Sequence, residues 1–79
     1  MRTARETLNE LRWRGENRLP QATLWYRDRA RPGGHRVILG SEIVDLGRRY
    51  FETAGGRLPY YKIERIEVGG QVVFQRAAE

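Results

Sequence analysis

The apolar positions change period along the chain, and each change marks an element. Ala4, Leu8 and Leu11 recur at i, i+4 and i+7, the narrow stripe of a helix with one buried face. Thr3 and Glu6 stand at capping-box spacing, where each side chain accepts from an orphan N–H of the first turn. A helix therefore starts there. Glu10 can pair with Arg14 one turn on, and Gly15 ends the element. Arg5 and Arg12 share another face, while Trp13 at the helix end either packs inward or forms a wet platform.

Beyond Pro20 the period falls to two. Ala22 to Arg29 reads as a strand with Thr23, Trp25, Arg27 and Arg29 on one face and Ala22, Leu24, Tyr26 and Asp28 on the other. Pro32-Gly33-Gly34 is a turn signal, because Pro presets φ and Gly takes positive φ without steric cost. His35 to Leu39 returns as the second strand of a hairpin. Ser41 is placed to cap a short helical turn through Glu42 to Leu46, with Gly47 as its stop. Arg48 to Thr53 alternates as a third strand, which Gly55-Gly56 turns back before Pro59 interrupts.

Tyr60 and Ile63, at i and i+3, predict a second helical turn with Tyr61 and Lys62 pushed outward. Glu64 to Val68 resumes alternation, and Gly69-Gly70 makes a two-residue hairpin loop. That loop sets Val68 opposite Gln71, Ile66 opposite Val73, Glu67 opposite Val72 and Arg65 opposite Phe74. These elements predict an α+β domain, its N-terminal helix packed on a curved, mostly antiparallel sheet of about five strands. A partly closed small barrel fits the same strands.

Seventy-nine residues fit a single domain over 1–79, and a chain this short buries only about 60 to 65 percent of its unfolded surface. Without cysteine it has neither a disulfide framework nor a thiolate zinc site. Apolar runs such as Val37-Ile38-Leu39 are too short to span a membrane, and no N-terminal signal sequence is visible. A cytoplasmic location with no membrane partner is expected.

Charge sharpens this picture. Lys and Arg against Asp and Glu give nine minus four, or +5, for residues 1–40, and six minus six, or zero, for residues 41–79. The formal net charge of +5 thus sits in the first half, where a one-sided field draws anionic partners. Lys62 is the sole lysine, and guanidinium is the group suited to bidentate phosphate contact and stacking on bases. A GC-rich genome or heat adaptation gives the same arginine bias.

Three segments carry candidate chemistry. Around Gly33-Gly34 stand Arg27, Arg29, Arg31, His35 and Arg36, where guanidinium forks and exposed N–H groups can surround a phosphate. The bland alternative is a hairpin tip kept polar for solubility. In Gly47-Arg48-Arg49-Tyr50 the arginines leave a helical turn for a strand and point to opposite faces, one toward a ligand and one toward a carboxylate such as Glu52. Pro59-Tyr60-Tyr61-Lys62 sets an aromatic plane beside an ammonium, as single-stranded nucleic acid sites do. A tyrosine that only caps the core is its alternative.

Enzyme readings are weaker. One histidine, His35, excludes a histidine pair at a phosphodiester and a multi-histidine metal site, and Asp28 and Asp45 are the only aspartates. Gly33-Gly34 lacks the Lys and spacing of a P-loop. No catalytic residue, metal or cofactor is assigned.

Arg5-Glu6-Thr7-Leu8-Asn9, Arg12-Trp13, Tyr26, Arg29, Pro32-Gly33, Gly40 through Arg48, and Pro59-Tyr60 with the terminal hairpin occur in an order that spans nearly the whole chain. In this the chain resembles a family of small, mostly archaeal, uncharacterised proteins whose domain is proposed to recognise RNA ends bearing cyclic phosphate. The resemblance implies an accessory role in RNA repair or processing, with an RNA ligase-like or phosphodiesterase-like partner. Arg29, Arg48 and Tyr60 match by position. Asp28 and Tyr61 stand where histidine is expected in relatives, and Gly34 stands where aspartate is common.

The preferred expectation is a non-enzymatic module that binds single-stranded RNA or a phosphorylated or 2′,3′-cyclic phosphate end through the three segments. The alternatives are a metal-dependent nuclease or cyclic phosphodiesterase using His35 or Asp28, and a protein-interaction module whose basic face docks an acidic partner.

Overall fold

The computed structural model describes residues 2–76. It contains one helix, α1 (Ala4–Trp13), and seven strands: β1 (Ala22–Arg27), β2 (His35–Leu39), β3 (Ile43–Leu46), β4 (Tyr50–Thr53), β5 (Gly56–Pro59), β6 (Ile63–Val68) and β7 (Gln71–Gln75). Four strands form one sheet in the order β2-β1-β6-β7, and three form a second in the order β3-β4-β5. Every pairing is antiparallel. The domain is thus mostly β, with two sheets and no closed barrel, which corrects the expected α+β architecture of one curved sheet.

Two segments account for the difference. After Leu39 the Glu42 carboxylate accepts from the Leu39 N–H at 2.8 Å, which confines the helical turn to Gly40–Glu42. Ile43 and Val44, both β-branched, then run extended as β3 where a helical turn was expected. Gly56 and Pro59 mask residues 56–59 as a strand in the sequence. Both stand at the ends of the edge strand β5, where the donor that Pro59 lacks is tolerated.

The helix follows its sequence closely. Thr3 Oγ1 accepts from the Glu6 N–H and Glu6 accepts from the Thr3 N–H, both at 3.1 Å, so the capping box is complete. The Glu6 carboxyl sits below its ordinary range, chiefly because of the hydrogen bonds to Thr3. Ala4, Leu8 and Leu11 are buried as their stripe requires, and Thr7 joins them by donating its hydroxyl to the Thr3 carbonyl. The helix lies against both β3 and β7, so it bridges the two sheets.

Between the sheets, Leu24, Ile38, Phe51, Ile63 and Ile66 are fully enclosed together with Leu8. Phe51 packs edge-on to Tyr26 at 6.3 Å and tilted on Tyr60 at 5.6 Å, joining one sheet to the turn that leads into the other. Gly40 is pressed against the chain at Leu19, where a Cβ would collide with the Leu19 carbonyl oxygen.

Two strand details also depart from expectation. At the last hairpin Val68 faces Gln71 and Glu67 faces Val72 as expected, but a bulge then sets Ile66 opposite Phe74 and Arg65 opposite Gln75. β1 stops at Arg27 because Asp28 turns the chain: its carboxylate accepts from the Ala30 N–H at 3.0 Å, and its own N–H donates to Gly34. Arg29 therefore lies in the turn and does not extend the face of Arg27.

Candidate nucleic-acid interface

Asp28 and the positive-φ pair Gly33 and Gly34 fold the first hairpin tip so that the end of β1, Tyr26 and Arg27, and the turn residues Asp28 to Ala30 form one wall of a groove. Arg36 from β2, Leu58 from β5, and Tyr61 with Lys62 from the 3-10 turn Tyr60–Lys62 complete it. The groove encloses about 650 Å³, a size that accepts a small ligand. Arg36 rests 5.9 Å over the Tyr26 ring, which orients its guanidinium while leaving its donors available.

A second groove of about 620 Å³ lies beside the first. The first turn of α1 and its cap supply Thr3, Arg5 and Glu6, the β3–β4 turn supplies Arg48 and Arg49, β4 supplies Tyr50, and Pro59, Tyr60 and Tyr61 close it. Tyr61 is common to both grooves and is 61% exposed, so it forms the ridge between them.

The ridge is held from beneath. The Tyr60 hydroxyl donates to the Gly47 carbonyl at 2.8 Å, and Arg5 Nε donates to the same oxygen at 3.4 Å. Burial raises the phenol pKa of Tyr60, with the Arg5 charge opposing, and burial likewise raises that of Tyr26. Both phenols therefore stay protonated at neutral pH. Arg76 Nε donates to the Ile63 carbonyl at 2.8 Å and its Nη2 to the Tyr60 carbonyl at 3.3 Å, which fastens the other side of the turn.

Cations are distributed unevenly between paired and unpaired positions. Among the described residues, ion pairs join Arg2 and Arg14 to Glu10, Arg31 to Asp28, Arg57 to Glu52, and Arg65 to Glu67. None involves Arg27, Arg29, Arg36 or Lys62 of the first groove, or Arg5, Arg48 or Arg49 of the second. Each groove holds one carboxylate, and each is occupied locally: Asp28 by the Ala30 N–H, Glu6 by the Thr3 N–H.

The sequence candidates thus divide. Arg27, Arg29, Arg36, Tyr61 and Lys62 meet in the first groove, and Arg48 and Tyr60 line the second. Arg31 stands 3.8 Å from Asp28, and His35 has Nδ1 3.2 Å from the Gly33 carbonyl oxygen and Nε2 3.8 Å from Glu64; neither lines these grooves. Tyr60 is only 7% exposed, so it supports the ridge more than it presents a surface.

Arg48 and Arg49 were expected on opposite faces of a strand. They occupy the turn before β4, closed by the Gly47 N–H donating to the Tyr50 carbonyl at 2.9 Å, and line one groove together. Arg5, Tyr50 and Arg76 carried no functional assignment in the sequence. The place of Arg5 beside the apolar stripe leaves it exposed, but nothing local ties it to Gly47. No group of three or more His, Asp or Glu able to hold a metal ion occurs among the described residues, and no helix there is long and apolar enough to cross a membrane.

Fold and surface together define a small basic β-domain whose unpaired arginines gather on both sides of an exposed tyrosine. Over 77 residues the chain is 30% identical to a UPF0248 protein of the archaeon Pyrobaculum islandicum, with 91% of this chain and 87% of that protein covered. It belongs to the UPF0248 family, whose archaeal members are small and uncharacterised. A UPF0248 protein of Methanopyrus kandleri is 35% identical over 49 residues, covering 62% of this chain and 66% of that protein. No family model and no solved structure matches the chain.

Proposed function

We propose that this chain is a non-enzymatic RNA-binding module that holds a phosphorylated or 2′,3′-cyclic phosphate end in RNA repair or processing. The observation that carries the reading is the set of seven groove cations without a carboxylate partner among the described residues, placed around one exposed tyrosine. Unpaired guanidiniums at a concave surface favour phosphate, because their donors are desolvated little and repaid by charge-assisted hydrogen bonds. Tyr61 offers the plane on which a base stacks, worth about 1 to 3 kcal/mol in single-strand sites. Arg29 and Arg48 grip phosphate from the two sides of that plane, and Lys62 adds charge. The end chemistry rests on the family resemblance, and an RNA ligase-like or phosphodiesterase-like partner would act on the end so held.

A salt titration tests this with matched short RNAs ending in cyclic phosphate, linear 3′-phosphate or free hydroxyl. Affinity should fall with salt at a slope of about 0.7 per phosphate neutralised, and the cyclic end should bind most tightly. Salt-independent binding overturns RNA recognition. Equal affinity for all three ends overturns end recognition alone.

A further inference from the structure

Each groove has its own cations, its own volume and its own occupied carboxylate, and the two meet only at Tyr61. With Asp28 the first groove is net positive by three, and with Glu6 the second by two. The two sets stand in different grooves on either side of the exposed Tyr61 ring. The spacing between the sets is also fixed: Gly47, directly before Arg48, accepts from Tyr60, directly before Tyr61. Ridge and second groove are therefore held in register before any ligand arrives, which lowers the ordering cost of an extended ligand.

Resting on the RNA-binding reading above, we propose that the site is bipartite and takes two phosphates of one strand. A single-stranded segment crosses Tyr61 with its terminal phosphate among Arg27, Arg29, Arg36 and Lys62, its base on the Tyr61 ring, and the preceding internucleotide phosphate between Arg5, Arg48 and Arg49. The minimal full ligand is a dinucleotide that carries both phosphates. A mononucleotide with the same end fills one groove only.

The test compares a dinucleotide ending in 2′,3′-cyclic phosphate with the mononucleoside 2′,3′-cyclic phosphate, by calorimetry at low salt, in the native chain and three variants. The dinucleotide should bind about tenfold more tightly, one charged hydrogen-bond contact's worth. Arg48→Ala/Arg49→Ala should erase that advantage and lower the dinucleotide's salt slope by about 0.7. Arg27→Ala/Arg29→Ala should weaken both ligands by the same factor. Arg48→Gln/Arg49→Gln, which keeps the length and polarity of the turn, should behave as the alanine pair, and melting curves confirm that each variant folds. A dinucleotide advantage that survives loss of Arg48 and Arg49 overturns the bipartite site while leaving RNA binding intact. If neither ligand nor a longer RNA binds the native chain, the underlying reading fails as well.

Discussion

Arg76 lies in neither groove, yet its removal should weaken both the fold and the proposed RNA site. Its guanidinium donates to the Ile63 carbonyl at 2.8 Å and the Tyr60 carbonyl at 3.3 Å, and sits 5.5 Å over the Phe74 ring. A hydrogen bond from a charged donor contributes about 1.5 to 3 kcal/mol, a long second bond less, and the cation–π contact about 0.5 kcal/mol. The residue is half-buried, so water recovers part of this. Arg76→Ala should cost about 2 kcal/mol, which lowers the melting temperature by about 8 to 16 °C in a domain of this size.

The turn it releases presents Tyr61 and Lys62, so RNA affinity measured well below the melting point should fall about three- to tenfold. Arg76→Lys keeps the charge but has no fork to span two carbonyls, and should retain at most half of either effect. Circular dichroism melts and fluorescence titrations with labelled RNA read the two quantities on the same samples. Arg76→Ala melting within 2 °C of the native chain, or Arg76→Lys matching the native affinity, would refute the positioning role.

Other consequences are equally direct. Gly40→Ala should cost more than about 3 kcal/mol in urea unfolding, because the new methyl meets the rigid backbone carbonyl of Leu19 as well as the Ala22 side chain. Burial raises the Tyr26 and Tyr60 pKa values above the ordinary 10.0, so their neutral forms are favoured in the folded state. Their contribution is complete below pH 10 and is lost as pH climbs through the raised folded values. Urea midpoints should accordingly hold between about pH 7 and 9 and decline above about 10, with Tyr60→Phe flattening the decline. Thr3→Ala removes the Oγ1 acceptor of the capping box and should cost about 1 kcal/mol by the same unfolding measurement.

Local signals were legible wherever a side chain acts on its own few neighbours. The Thr3 and Glu6 cap and the Gly69-Gly70 hairpin loop need nothing from afar, and these and the Tyr60–Lys62 turn were readable from spacing. Between Ser41 and Pro59 the strand ending at Thr53 was readable, but Ile43–Leu46 and Gly56–Pro59 were not, because their short apolar runs suit helix, turn and strand alike and long-range pairing with β4 decided for strand. Of the proposed site, the basic hairpin and the Tyr61-Lys62 pair stood out by composition. Arg48 and Arg49 stood out as well, but Arg5 did not, since it is 43 residues from Arg48 in sequence and meets it only through the Gly47 carbonyl and the shared turn. Arg76 gave no local sign because its partners are backbone atoms 13 and 16 residues away.

Phe51 connects the interior to the reach of the surface. No backbone ladder joins the two sheets, and the first groove draws its lining from both, with Leu58 of β5 facing Tyr26 and Arg36 of the other sheet. Leu58 is the register partner of Phe51, whose ring abuts Tyr26 and Tyr60. The width of that groove is consequently a property of aromatic volume in the core. A lineage could resize what the domain admits by exchanging one enclosed ring, while every cation on the outside stayed the same.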